Sequence, residues 1–172
     1  MSHALNRTFA LALAAVVLAG PGRAQDDATT GANAELTDRQ KVEQCMRAVT
    51  NAGSDPRACV GVVADPCLDA LGEGDKSQAA ACMDRETAIW AENLESSVKE
   101  LSRVLGRQAP EALQEVQEAW LVYRDRRCGF GSTLYSDEEF VGIWRATCLL
   151  EETGRRAVEV GTILKEARSR GG

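Results

Sequence analysis

The sequence predicts an all-α fold, a small antiparallel helical bundle of four or five helices braced by three disulfides. Three observations predict it. Long stretches place apolar residues at the 3.6-residue period of one helix face, no segment alternates as a strand between hairpin turns, and six cysteines are distributed around short turns.

Arg7 precedes an apolar run from Phe9 to Ala19, which is followed by Gly20, Pro21, Gly22 and Ala24. This is the pattern of a secretory signal peptide, with cleavage expected after Ala24. The run is shorter than the roughly 20 apolar residues that span a bilayer, so a soluble exported chain, periplasmic or secreted, is expected without membrane insertion. Removing Met1 to Ala24 takes away Arg7 and Arg23 and no acidic residue. The remaining roughly 150 residues carry an acidic excess of about eight charges and suit one domain with a modest core. An acidic surface disfavours nucleic acid as a partner and favours a cationic one through electrostatic steering.

Residues 25–34, QDDATTGANA, hold too little apolar surface to offset their ordering entropy, and a disordered leader is expected there. The first helix is predicted to begin near Leu36, capped by Thr37 or Asp38, and to end before the turn from Asn51 to Pro56. The cysteines Cys45, Cys59, Cys67, Cys82, Cys128 and Cys148 all lie in the exported part. An even count in an oxidising compartment reads as three disulfides, with 15 possible connectivities. The loops CMRAVTNAGSDPRAC and CLDALGEGDKSQAAAC look like an internal repeat. The repeat favours pairing Cys45 with Cys59 and Cys67 with Cys82, leaving Cys128 for Cys148. Loops of this size contribute about 3 kcal/mol each in the chain-entropy model. With no CxxC, CxxCH or zinc-finger spacing, no cofactor or metal is expected.

From Ser77 to Leu105, Met83, Trp90, Leu94, Leu101 and Leu105 fall on one helical arc, and Glu86 and Asn93 fall inside it. Ala109 and Pro110 begin another helix, Pro110 suiting a first-turn position. Leu113, Val116, Trp120 and Tyr123 build its stripe, with Arg124 and Arg127 on the same face. Whether Arg127 faces core or solvent is left open by the pattern. A loop from Gly129 to Glu139 leads to a last helix bearing Phe140, Ile143, Trp144, Thr147, Cys148 and Leu150, predicted to end near Ala167.

A guanidinium on an apolar stripe needs partners for its donors. The sequence reading therefore places Glu86 beside Arg124, with Asn93 completing a network that fixes the register of two helices. Trp90, Trp120, Tyr123 and Trp144 would suit a sugar-binding platform, but their helical spacing among Leu and Val assigns them to the core. No catalytic residue is expected. The one histidine, His3, lies in the signal peptide, and the adjacent carboxylates Glu138 with Glu139 and Glu151 with Glu152 read as solvated pairs rather than a glycosidase dyad. The loop Ser132 to Glu139 would be pinned at both ends by a bridge from Cys128 to Cys148. Tyr135, Asp137, Glu138 and Glu139 are the candidate partner-binding residues, set against a simpler role for the acids as a helix cap.

Cys82 followed by MDRE, then Trp90, the Asn93–Leu94 pair, QEAWLVYRDRRC from Gln117 to Cys128, and Cys148 ahead of TGRRA together resemble the lysozyme inhibitor LprI-like N-terminal domain family. The resemblance spans about Cys67 to Leu164. It departs at Val98, where a Tyr is often found. It divides the mature chain into an extension over residues 35–66 and a helical domain over residues 67–168. It implies an exported, disulfide-braced helical protein that binds a peptidoglycan hydrolase, without assigning an inhibitory contact to any residue. The reading that follows is a non-enzymatic, protein-binding inhibitor of a cationic lysozyme-type hydrolase. The alternative is a structural or scaffold protein of the envelope with no enzyme target.

Overall fold

In the computed structural model, which describes residues 35–72, 78–106 and 110–170, Thr37 opens the first helix with a reciprocal cap. Its hydroxyl accepts from the Gln40 backbone N–H, and the Gln40 side chain accepts from the Thr37 N–H. Two otherwise unpaired donors are satisfied. This helix, α1, is Asp38–Asn51. A 3-10 turn at Pro56–Cys59 leads to α2, Ala64–Leu71. Then follow α3, Ala79–Leu105, and α4, Pro110–Gly129. A single turn, α5, is Gly131–Leu134, and α6 is Glu138–Arg170. Among the described residues the structure is helical, without strands. The expected signal peptide and leader lie outside them.

The two longest helices form the spine. At 1.5 Å per residue α3 extends ~40 Å and α6 ~50 Å, and their mutual contact is the most extensive in the protein. Consecutive long helices run antiparallel, so α3 and α6 run parallel. Near their starts Thr147 Oγ1 lies 2.9 Å from Met83 Sδ, and near their ends Arg168 pairs with Glu100 at 3.1 Å. Helix α4 descends between them in sequence. Cys128 is bonded to Cys148 at its C-terminal end, and Gln117 meets Arg156 further back.

The buried face of α6 is Ala146, Leu150, Thr153, Ala157, Val160 and Leu164, spaced alternately four and three residues apart. That is the seam of a coiled-coil-like contact. Opposite it α3 buries Met83, Glu86, Trp90, Leu94 and Leu101. Small residues on α6 leave room for Trp90, which is only 1% exposed.

Two polar side chains enter this interior. The Glu86 carboxylate, 0% exposed, accepts from the backbone N–H groups of Gly61 at 2.7 Å and of Val63 and Ala64 at 2.8 Å each. It also accepts from Trp90 Nε1 at 2.8 Å. Gly61 adopts a φ of +106°, open to glycine and strained for other residues. That turn presents the N–H groups that open α2, where a negative charge is stabilised by unpaired donors and the helix dipole. The carboxylate also pushes the neighbouring Asp65 pKa upward, second to the effect of burial. Thr153, also 0% exposed, has no partner for its hydroxyl among the described residues.

Disulfides join Cys45 to Cys59, Cys67 to Cys82 and Cys128 to Cys148, the connectivity that the repeated loops favour. The first ties α1 to the 3-10 turn, the second α2 to α3, and the third α4 to α6. On the same side, Asp38 of α1 pairs with Arg85 of α3, whose hydrogen bond holds the Asp38 carboxyl below its usual range.

The two buried polar groups predict opposite outcomes. Glu86→Ala leaves buried N–H donors without an acceptor and is expected to cost about 3 kcal/mol or more. In urea unfolding of the oxidised protein the midpoint falls with little change in slope. Thr153→Val replaces an unpartnered hydroxyl with a methyl of similar shape and is expected to raise stability by about 1 kcal/mol. A midpoint that fell for Thr153→Val would show that the hydroxyl is satisfied.

Candidate functional site

The segment that closes α4 onto α6 is held mainly by covalent and polar contacts. Along α4 the half-buried positions Leu113, Gln117, Trp120 and Arg124 lead to the buried Cys128. Gln117 Oε1 accepts from Arg156 Nε and Nη2 at 3.2 Å each, and Arg156 Nη1 reaches Glu159 at 3.0 Å. Two guanidinium groups lie over the indole of Trp120, Arg124 at 5.2 Å and Arg156 at 5.8 Å from its centroid, a cation–π arrangement. Arg127 pairs with the buried Glu152 of α6 and donates to the Tyr123 hydroxyl. Tyr123 first and Glu152 second raise the Arg127 pKa.

This geometry corrects the expected network of Arg124, Glu86 and Asn93. Arg124 bonds Asp125 at 2.8 Å and stacks over Trp120 on α4, while Glu86 faces the start of α2. Asn93 lines a groove with Met46 and Thr50 of α1 and Gly161 and Lys165 of α6. Glu86 took its partners from backbone amides, which have no residue signature. Arg124 took its partners from Asp125 and the Trp120 face on its own helix, and Arg127 from the Tyr123 hydroxyl and Glu152 of α6. Two α4–α6 contacts were missed, Gln117 with Arg156 and Arg127 with Glu152. The available signal was that Gln117 opens, and Arg156 ends within, the two motif segments that carry the resemblance.

The core assignment holds for Trp90 and fails for Tyr123 and Trp144, which are 52% and 39% exposed. Trp120 is half-buried. Val116, expected on the inner stripe, is 55% exposed. Helical spacing defines a direction but not a depth, and α4 touches the bundle along one narrow strip.

The span expected as a loop contains α5, and its apolar side chains form an exposed edge with the start of α6. Gly131 is buried against Trp144. A Cβ there would lie 2.4 Å from Trp144 Cδ1, so only glycine lets the indole rest on this turn. The Tyr135 ring meets Phe140 edge-on at 4.7 Å and lies 5.9 Å from Trp144. Leu134, Tyr135, Phe140 and Trp144 all remain exposed. Beside them a cavity of about 240 Å³ is lined by Arg127, Ile143, Trp144, Thr147 and Glu151 among others.

Acidic groups border this edge. Asp137 caps α6, one carboxylate oxygen accepting from the Phe140 N–H at 3.0 Å. Glu138 and Glu139 occupy the first turn, are exposed and form no ion pair among the described residues. Asp137 therefore serves the cap, while the two glutamates remain available. The other adjacent pair, Glu151 and Glu152, is engaged with Arg155 and Arg127. Among the described residues no group of three or more His, Cys, Asp or Glu is placed to hold a metal ion. None of the described helices is long and apolar enough to cross a membrane.

The model of the lysozyme inhibitor LprI family matches residues 67–160, more than half of the chain. The chain belongs to the lysozyme inhibitor LprI family. No curated protein and no solved structure shows a significant match. The LprI match covers the α3–α6 spine through Val160, all of α4, and the aromatic edge. It begins at Cys67, so the backbone N–H groups that hold Glu86 come from residues just upstream of it.

The placement of the indoles has a spectroscopic consequence. Acrylamide quenching of the native protein is expected to act chiefly on Trp144, and Trp144→Phe removes most of the quenchable emission. Trp90→Phe leaves the quenchable component in place. Loss of that component with Trp90 instead would contradict the packing described.

Proposed function

We propose that this protein is an exported, non-enzymatic protein-binding module that inhibits a lysozyme-type peptidoglycan hydrolase. The proposed contact is the edge formed by Leu134, Tyr135, Phe140 and Trp144 with Glu138 and Glu139. Membership of the lysozyme inhibitor LprI family carries the reading of activity. The exposed aromatic cluster within a disulfide-closed segment carries the choice of surface.

Exposed Trp and Tyr supply large contact area with few rotamers, and such residues dominate binding hot spots. Closure by Cys128–Cys148 and the packing of Tyr135 on Phe140 lower the ordering cost of binding. Free carboxylates beside the cluster suit a cationic hydrolase surface and favour rapid encounter. Three disulfides support an oxidising compartment, and with it an exported, periplasmic or secreted protein.

Clearing of cell-wall suspensions by lysozymes of several types tests the proposal. The oxidised protein is expected to slow clearing by at least one of them and to produce none alone. Trp144→Ala and Tyr135→Ala are each expected to weaken inhibition tenfold or more, equivalent to about 1.4 kcal/mol. Reversing the charge of Glu138 and Glu139 together weakens it most at low salt. Full inhibition by all these variants would exclude the edge as the contact. Absence of inhibition with every lysozyme type would favour the scaffold role.

A further inference from the structure

Helix α4 and the residue that follows it, Phe130, carry a second stripe that the bundle leaves uncovered. Ala112, Val116, Ala119, Tyr123, Arg126 and Phe130 recur at steps of four and three residues, and all six are exposed. Val116, Tyr123 and Phe130 are each more than half exposed. The spacing is that of a coiled-coil seam, one residue out of phase with the strip that meets α6. Contiguous apolar exposure of this kind marks an interaction surface.

The distribution of charge and size along the stripe selects its occupant. The first half of α4 carries Glu111, Glu115 and Glu118, while Arg124, Arg126 and Arg127 lie toward its end, offset there by Asp125 alone. Arg126 forms no ion pair among the described residues. A second α4 lying antiparallel sets each acidic half along a basic half and opposes the two helix dipoles favourably. In the register centred on Leu121 every position of the stripe finds a partner. Ala112 of one copy lies level with Phe130 of the other, Val116 with Arg126, and Ala119 with Tyr123. Each aromatic ring thus meets an alanine, the large-against-small pairing that lets two helices approach closely. Arg126 falls beside Glu115 of the other copy. A concavity of about 560 Å³ between Ala119, Val122, Tyr123 and Phe130 gives space for the incoming side chains.

We propose that this face of α4 is a self-association surface, on which two copies of the chain pair as an antiparallel, two-fold dimer. A two-fold arrangement uses the same patch on both copies and closes the assembly at two. The proposal does not rest on the inhibitory reading, because the stripe lies on α4 and the proposed inhibitory edge on α5 and α6.

Sedimentation equilibrium of the oxidised full-length mature protein, from micromolar to millimolar concentration, tests it. The expected result is a reversible monomer–dimer equilibrium with no larger species. Tyr123→Glu is expected to abolish dimerisation while the helical circular dichroism is retained. Arg126→Glu weakens the dimer about tenfold or more, and adding Glu115→Arg to the same chain restores it. Restoration is a result that a merely destabilised fold does not produce. A protein that stays monomeric throughout the range overturns the proposal. So does a dimer unaffected by Tyr123→Glu, or one that the charge exchange fails to restore.

Discussion

The buried carboxylate of Glu86 joins the two parts of this molecule. It sits inside the α3–α6 interface, yet most of its hydrogen bonds run outward to the turn that opens α2. A carboxylate removed from water is tolerated only when its acceptor capacity is filled, and here backbone amides and the Trp90 indole fill it without a cation. The same contact sets the rotamer of the largest buried side chain and fixes the chain between Cys59 and Cys67. The flanking disulfides, Cys45–Cys59 and Cys67–Cys82, then restrain the ends of the segment that Glu86 holds at its middle. A small core thereby gains order in a region where α1 and α2 bury little apolar area.

How much of this was readable from residues alone depended on where each signal was written. The cap at Thr37, the turn at Asn51 to Pro56, and the starts of α3 and α4 follow from local chemistry, and they appear close to where that chemistry puts them. The repeated cysteine loops likewise show a local pattern. The α6 seam was harder to see because it is built largely of Ala, Thr and Val, with Leu at two positions. Hydropathy drew attention instead to Phe140 and Trp144, which lie on the exposed edge rather than in the seam. The partner of Glu86 was not legible, because amide donors are common to nearly every residue. The edge proposed as the contact includes the pinned span of Tyr135 to Glu139 that the sequence singles out, whereas the pattern leaves Leu134 in the loop, Phe140 on the last helix and Trp144 in the core.

Exposure of that edge follows from how the chain closes there. Burial contributes little to holding α5 and the first turns of α6 against the bundle, since Leu134, Tyr135, Phe140 and Trp144 all remain exposed. Two other terms hold them. The Cys128–Cys148 bridge reduces the entropy of the unfolded segment, a contribution of about 3 kcal/mol for a loop of this size, and the Arg127–Glu152 pair anchors one flank in a partly buried setting. Stability drawn from a crosslink leaves apolar side chains free for intermolecular contact, whereas stability drawn from burial would consume them. The same reasoning applies to α4. Its inner strip is tied by Gln117–Arg156, by the Arg156 guanidinium over Trp120 and by the disulfide. These contacts are narrow and directional, so they fix the helix while covering little of its surface. The uncovered apolar area on α4 and α5 is thus a consequence of fastening the hairpin with polar and covalent links.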